Sequence, residues 1–283
     1  MTEYTCPRHG QYSSVDLDLP ESFGRVPLAV PAFCPACSRA AAVLKQRARA
    51  ILAEQELQWD RWKQAEIPAR FRNRTVANWQ PSKSQAGAAR IVQAWLADVD
   101  ARWKDGVGLL LMGVPGVGKT HLLAGLVTAT IQAGYSARYA SWPDVWARCR
   151  PPFTEHPDEL LRALAKVDFL ALDEIGLKAA TEKEQARLFE LIDTRYSQQR
   201  PTLVATNATE ATLGSIGERA ADRLREACIA VAIPGDSYRG QAPEDPLLAT
   251  APPSIAQPAC EALRYIMSID GSDVERKWDP KAA

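Results

Sequence analysis

One eight-residue stretch constrains this chain more than any other: Gly113-Val114-Pro115-Gly116-Val117-Gly118-Lys119-Thr120. It satisfies G-x-x-x-x-G-K-[ST] at every fixed position. Glycines let a backbone turn so tightly that its N–H groups point inward at a phosphate. A helix starting directly behind them adds more free N–H groups and the positive end of its dipole. Lys119 is placed to reach β- and γ-phosphates, and the Thr120 hydroxyl to ligate Mg2+. The flanks decide whether such a match is more than a glycine-rich turn. Residues 107–112 are an apolar run that reads as a buried strand entering the loop, and residues 120–133, ending before Gly134, read as a helix leaving it.

The same alternation continues. Apolar runs at 109–112, 137–140, 169–172, 202–205 and 229–233 read as strands with helical segments between them. One helix spans 181–198: Thr181 and Glu184 form a capping box, and Leu188, Leu191, Ile192 and Tyr196 recur on one face. Strand and helix in alternation imply an α/β domain with a parallel sheet covered on both faces.

Three further signals belong to that domain. Residues 167–174 are an apolar run ending in Asp173 and Glu174, a strand neighbouring the loop strand whose tip carries two carboxylates. Ligands of parallel α/β sheets sit at that end. Asp173 would hold Mg2+, directly or through water, and Glu174 would polarise the attacking water as general base. Residues 200–207 end a β-rich run at Thr206-Asn207; Asn207 could contact the γ-phosphate, or the pair could simply end a strand. Arg219 and Arg223 lie four apart on one helix face, either as candidates for completing a neighbour's site or as an ion-paired surface.

Together these residues resemble the DnaC/IstB branch of the AAA+ ATPases, over residues 67–239. The details that carry the resemblance are Gly-Lys-Thr-His at 118–121, Asp-Glu-Ile-Gly at 173–176, Arg195-Tyr196, Arg200-Pro201-Thr202, Thr206-Asn207, Gly217-Glu218-Arg219 and Ser237-Tyr238-Arg239, with the lead-in Ile67-Pro68-Ala69-Arg70-Phe71. The resemblance implies an AAA+ P-loop core with a parallel five-stranded sheet and a reduced or absent lid. It makes residues 113–120 the Walker A loop, Asp173 and Glu174 Walker B, Asn207 sensor 1, Arg223 the trans-acting finger with Arg219 competing, and Arg239 a sensor-2-like arginine. His121 follows the motif without a chemical role of its own.

Ahead of this domain stand Cys6-Pro7-Arg8-His9 and Cys34-Pro35-Ala36-Cys37, two pairs of soft ligands separated by the 24 residues 10–33. Cys6, His9, Cys34 and Cys37 make a three-thiolate, one-imidazole set suited to a closed, structural Zn2+. A segment of some 40 residues has too little core to fold unaided, and a metal is a usual remedy. Redox or unrelated thiols are the competing readings; the βαβ setting of a redox Cys-x-x-Cys is missing here. Between this knuckle and the ATPase, residues 39–74 hold nine Lys/Arg against four acids, a local charge of +5, with Trp59 and Trp62 interleaved. Such a stretch suits a partner helix or a nucleic-acid backbone, or a solvated helix that docks its Trp residues.

These readings divide the chain into a zinc-binding domain at 1–39, a helical arm at 40–66, the AAA+ domain at 67–240 and a Pro-rich tail at 241–283 that includes a short helix at 258–269. The net charge is zero over 283 residues, so the chain is no polycation built to coat nucleic acid. Its start lacks the basic and apolar regions of a secretory leader, and no stretch approaches the roughly 18 apolar residues of a membrane span. The expected setting is cytoplasmic, with no membrane. The family resemblance implies an ATPase using ATP and Mg2+ that loads a replicative hexameric DNA helicase, binds single-stranded DNA and self-associates through the arginine finger. The alternatives are an IstB-like transposition helper acting with a transposase, and a nucleotide-binding switch without turnover.

Overall fold

The computed structural model describes residues 2–6, 9–14, 34–150, 156–176 and 180–238. Arg239, the tail from 241 and its expected helix lie outside the described residues, as does the side chain of Cys37. The chain divides into two compact units at Glu56/Leu57.

In the first unit, β1 (Thr2–Cys6) and β2 (Gly10–Ser14) form an antiparallel hairpin in which Cys6 pairs with Gly10. Helix α1 (Pro35–Gln64) starts directly after Cys34, so the second Cys pair opens a helix rather than lying in a loop. Its residues from Leu57 onward belong to the second unit.

The second unit is built on five parallel strands: β3 (Gly108–Met112), β4 (Ala137–Ser141), β5 (Phe169–Ile175), β6 (Thr202–Thr206) and β7 (Cys228–Ala232). Their spatial order is β4-β5-β6-β3-β7. Alternate residues serve opposite faces, as the pleat requires. Leu109, Leu111, Phe169, Ala171, Leu203 and Ala205 face a layer formed by α2 (Ala86–Ala97), α4 (Lys119–Gln132) and the end of α1. Leu110, Met112, Leu170, Leu172 and Val204 face α6 (Pro157–Lys166), α7 (Glu182–Ser197) and α8 (Glu218–Ala227). This double burial is why the strands read as unbroken apolar runs. Two short helices, α3 (Val99–Asp105) and α5 (Trp142–Arg148), complete the unit. Among the described residues no helix is long and apolar enough to cross a membrane.

The elements expected within the described residues are present with shifted ends. The Thr181 hydroxyl accepts from Glu184 N at 3.3 Å, which is the N-cap half of the expected capping box; the Glu184 carboxylate accepts from Trp142 Nε1 at 3.1 Å. The β5 strand runs three residues past its expected end at 172. It also does not neighbour the loop strand β3, because β6 lies between them.

Arg195 is the largest charged group buried in the core, with no exposed surface. Its guanidinium donates to the carbonyls of Leu164, Ala165, Val167, Asp168 and Pro201 and to the Thr202 hydroxyl, at 2.7–3.1 Å. Burial, helped by the nearby Arg200 charge, pushes its pKa down to about 9, so it stays charged at neutral pH. One side chain thereby joins the end of α6, the start of β5, α7 and the start of β6.

Candidate active site

The loop after β3 turns through Gly116 and Gly118, whose φ angles of +87° and +98° fall in the left-handed region. Neither has room for a side chain: a Cβ on Gly116 would lie 2.0 Å from Ser237 Oγ, and one on Gly118 2.7 Å from Trp79 Nε1. Two segments therefore clasp the loop. After β7, Tyr238 N–H donates to the Gly116 carbonyl at 3.0 Å. Before α2, the buried Gln85 amide donates to the carbonyls of Val117 (3.4 Å) and Pro234 (2.9 Å), and its oxygen accepts from the Tyr238 hydroxyl at 2.8 Å. The Lys119 ammonium is buried and donates to the Gly113 and Val114 carbonyls at 2.7 and 2.8 Å. His121 has no chemical role in the motif, but the structure supplies one. Its Nε2 lies 3.0 Å from the Thr75 carbonyl and 2.8 Å from Asn78 Oδ1, two acceptors, so this nitrogen carries the proton and ties the 75–78 turn to α4.

On β5 the two acids diverge. The pairing with β6 shifts register between Leu172 and Ile175, and Glu174 has a φ of +62°, which non-glycine residues rarely adopt. Such a bulge re-aims side chains. Here it leaves Asp173 3% exposed and Glu174 open to solvent. Asp173 Oδ1 accepts from Glu174 N–H and Oδ2 from the Tyr139 hydroxyl, both at 2.8 Å. Burial first, and then the Asp173 charge, raise the Tyr139 phenol well above its ordinary range, so it remains a donor. Thr120, Asp173, Glu174 and Tyr139 line one cavity of about 450 Å³, together with Asp144 and Arg148. A hydroxyl and a carboxylate are hard oxygen donors and fit Mg2+. Trp79 Nε1, beside Gly118, is buried with no partner among the described residues, a donor that a nucleotide beside the loop could satisfy.

Asn207 follows β6, half-buried at the C-terminal end of the strand that separates the loop from the acids. The preceding Thr206 hydroxyl donates to the Ile175 carbonyl at 2.6 Å and accepts Ala208 N–H at 3.0 Å, locking the ends of β5 and β6 together. Neither Asn207 nor Lys119 is among the residues lining the 450 Å³ cavity.

The two candidate finger arginines are not in that lining either. They stack on α7: Arg219 lies 3.9 Å from the centroid of the Phe189 ring and Arg223 4.4 Å from that of Tyr196. Arg223 Nε also donates to Asp193 at 2.9 Å, a charged partner that raises its pKa.

In the first unit Cys6, His9 and Cys34 converge, with their ligand atoms all within 4.8 Å of one another. His9 Nδ1 lies 3.5 Å from Cys6 Sγ and 3.6 Å from Cys34 Sγ. Tetrahedral zinc, with bonds of about 2.3 Å to sulfur and 2.0 Å to nitrogen, separates such ligands by about 3.6 Å. The donor set and its spacing fit that ion.

A five-stranded parallel sheet with a phosphate loop behind β3 and a buried acid on β5 defines a P-loop nucleotide-binding protein with the AAA+ fold. The chain belongs to the family of IstB-like ATP binding proteins, which matches residues 38–245. Among its relatives is the replicative helicase loader DnaC of Escherichia coli K12, 31% identical over 137 residues, covering 47% of this chain and 56% of that protein. A putative insertion sequence ATP-binding protein of Sinorhizobium fredii is 31% identical over 127 residues, covering 44% of this chain and 40% of that protein. The chain thus spans about half the length of the curated relatives it matches. Among solved structures, the DnaC helicase loader aligns with a TM-score of 0.53 at 20% identity, over 58% of this chain and 99% of that one. The replication initiator DnaA bound to AMPPCP and single-stranded DNA aligns at 0.51 and 23%, over 58% and 50%. At these identities the structures speak for the fold only.

Proposed function

We propose that this protein is an ATPase that loads a ring-shaped replicative helicase onto single-stranded DNA. The observation that carries the reading is a cavity at the C-terminal end of the sheet where Thr120, Asp173 and Glu174 meet behind a complete phosphate loop, in a chain whose relatives include the helicase loader DnaC.

In this reading the Lys119 ammonium exchanges the Gly113 and Val114 carbonyls for β- and γ-phosphate oxygens. Thr120 and Asp173 would hold Mg2+, which neutralises charge on the phosphates when bound. Glu174, exposed on its bulge, takes the proton of the attacking water, and Asn207 orients that water from β6. Arg223 leaves Asp193 to reach the γ-phosphate of a neighbouring copy. Its ring stacking and ion pair hold it ready on α7, and Arg219 is the competing choice. Arg239 would act as the sensor-2-like arginine. Cys6, His9, Cys34 and Cys37 hold a structural Zn2+, and this unit with the arm at 40–66 contacts the helicase.

A second reading has its own support: the family description and the Sinorhizobium relative point to insertion sequences, hence to a transposase partner. Affinity purification of the full chain with ATP and DNA separates the two. Recovery of a hexameric replicative helicase supports the loader, and recovery of a transposase in its place replaces it with the transposition helper.

A further inference from the structure

The hydrogen bond between Tyr139 and Asp173 has no role in the nucleotide chemistry described so far. Tyr139 pairs with Ala171 across β4 and β5, so Asp173, two residues on, is its diagonal neighbour on the same face of the sheet. The phenol spans that diagonal at 2.8 Å. With Glu174 N–H on the other oxygen, each carboxylate oxygen has a donor and the plane of the group is fixed. Tyr139 is itself anchored. Its strand is at the sheet edge, where its N–H donates to the Ala65 carbonyl at 2.8 Å and its neighbour Arg138 pairs with Glu66. Packing alone does not call for the hydroxyl: a phenylalanine would fill the same apolar face.

We propose that Tyr139 is a positioning residue for Asp173, holding the carboxylate in the orientation that receives Mg2+ and so setting how strongly Mg2+ tightens nucleotide binding. The inference rests on reading Asp173 as the metal-side acid. The test uses the full chain and a fluorescent ADP, with affinity measured in EDTA and across a Mg2+ titration.

Tyr139→Phe is expected to leave the affinity in EDTA unchanged. The Mg2+ concentration for half-maximal tightening should rise about tenfold, the low end of what losing an outer-shell partner costs a metal site. In an Asp173→Asn background the same substitution should change nothing further. An unchanged Mg2+ midpoint, an equal shift in the Asp173→Asn background, or a loss of affinity in EDTA would each overturn the proposal, the last because the phenol would then serve the fold. If the unsubstituted protein binds no nucleotide, or binds it without regard to Mg2+, it is the reading of the cavity that fails.

Discussion

The two units of this chain bury different kinds of side chain. In the second, alternate residues of five strands are buried on both sides of one sheet, and dozens of apolar side chains are below a tenth exposed. In the first, the buried side chains among the described residues are Cys6 and Cys34. Where the second unit has an apolar core, the small unit has a pair of thiols with an imidazole between them. Burying apolar area scales with size, and a short segment must find its free energy elsewhere. One chain thus pairs an apolar core with a small unit whose buried side chains are potential metal ligands.

The largest expected effect separates the two. Stripping metal with a strong chelator should unfold the first unit, since structural zinc contributes about 10 kcal/mol or more to small domains. Hydrogen exchange should show lost protection in β1 and β2 and unchanged protection in β3 to β7. No loss in the first would show that it does not depend on metal, and equal loss in both that the dependence is not confined to it.

Glu174→Gln addresses the second unit's chemistry without touching its core. Turnover should fall by about two to four orders of magnitude while ATP affinity holds. Unchanged turnover would favour a switch without hydrolysis. Arg195→Leu addresses the core itself: it strips the charged donor from five carbonyls and a hydroxyl, and should cost about 3 kcal/mol or more in a urea titration. The smallest effect is at the cap of α7, where Thr181→Ala should lower stability by about 1 kcal/mol. A loss at Thr181 exceeding that at Arg195 would reverse the ranking of contacts in the core.

How much of this was legible in the sequence differs by residue. The phosphate loop could be read in full because its chemistry is local: a glycine at each tight turn, then lysine and threonine at the helix start. The strands were legible because burial on both faces makes them apolar throughout. The end of β5 extends past the apolar run, since a bulge at 172–175 belongs to the pairing with β6, and no periodicity within one strand reveals it. The insertion of β6 between loop and acids is likewise a matter of topology. Tyr139 passed for a strand residue because its partner is set by β4–β5 register. His121 and Gln85 act on segments 46 and 149 positions away, through Thr75 and Pro234, and nothing local marks them. Arg195 reads in the sequence only as part of a family-like pair, because its hydrogen-bond partners are mostly backbone carbonyls, which no residue type marks.

The proposed function depends on a nucleotide being gripped where β3 hands over to α4. Titrating the full chain with Mg2+ and ATP by calorimetry, beside Lys119→Ala, tests it most directly. The unsubstituted protein should take up one nucleotide per chain, and binding should weaken about a hundredfold or more in the variant, the cost of removing a buried charged contact to phosphate. Equal affinity in the two proteins would contradict it.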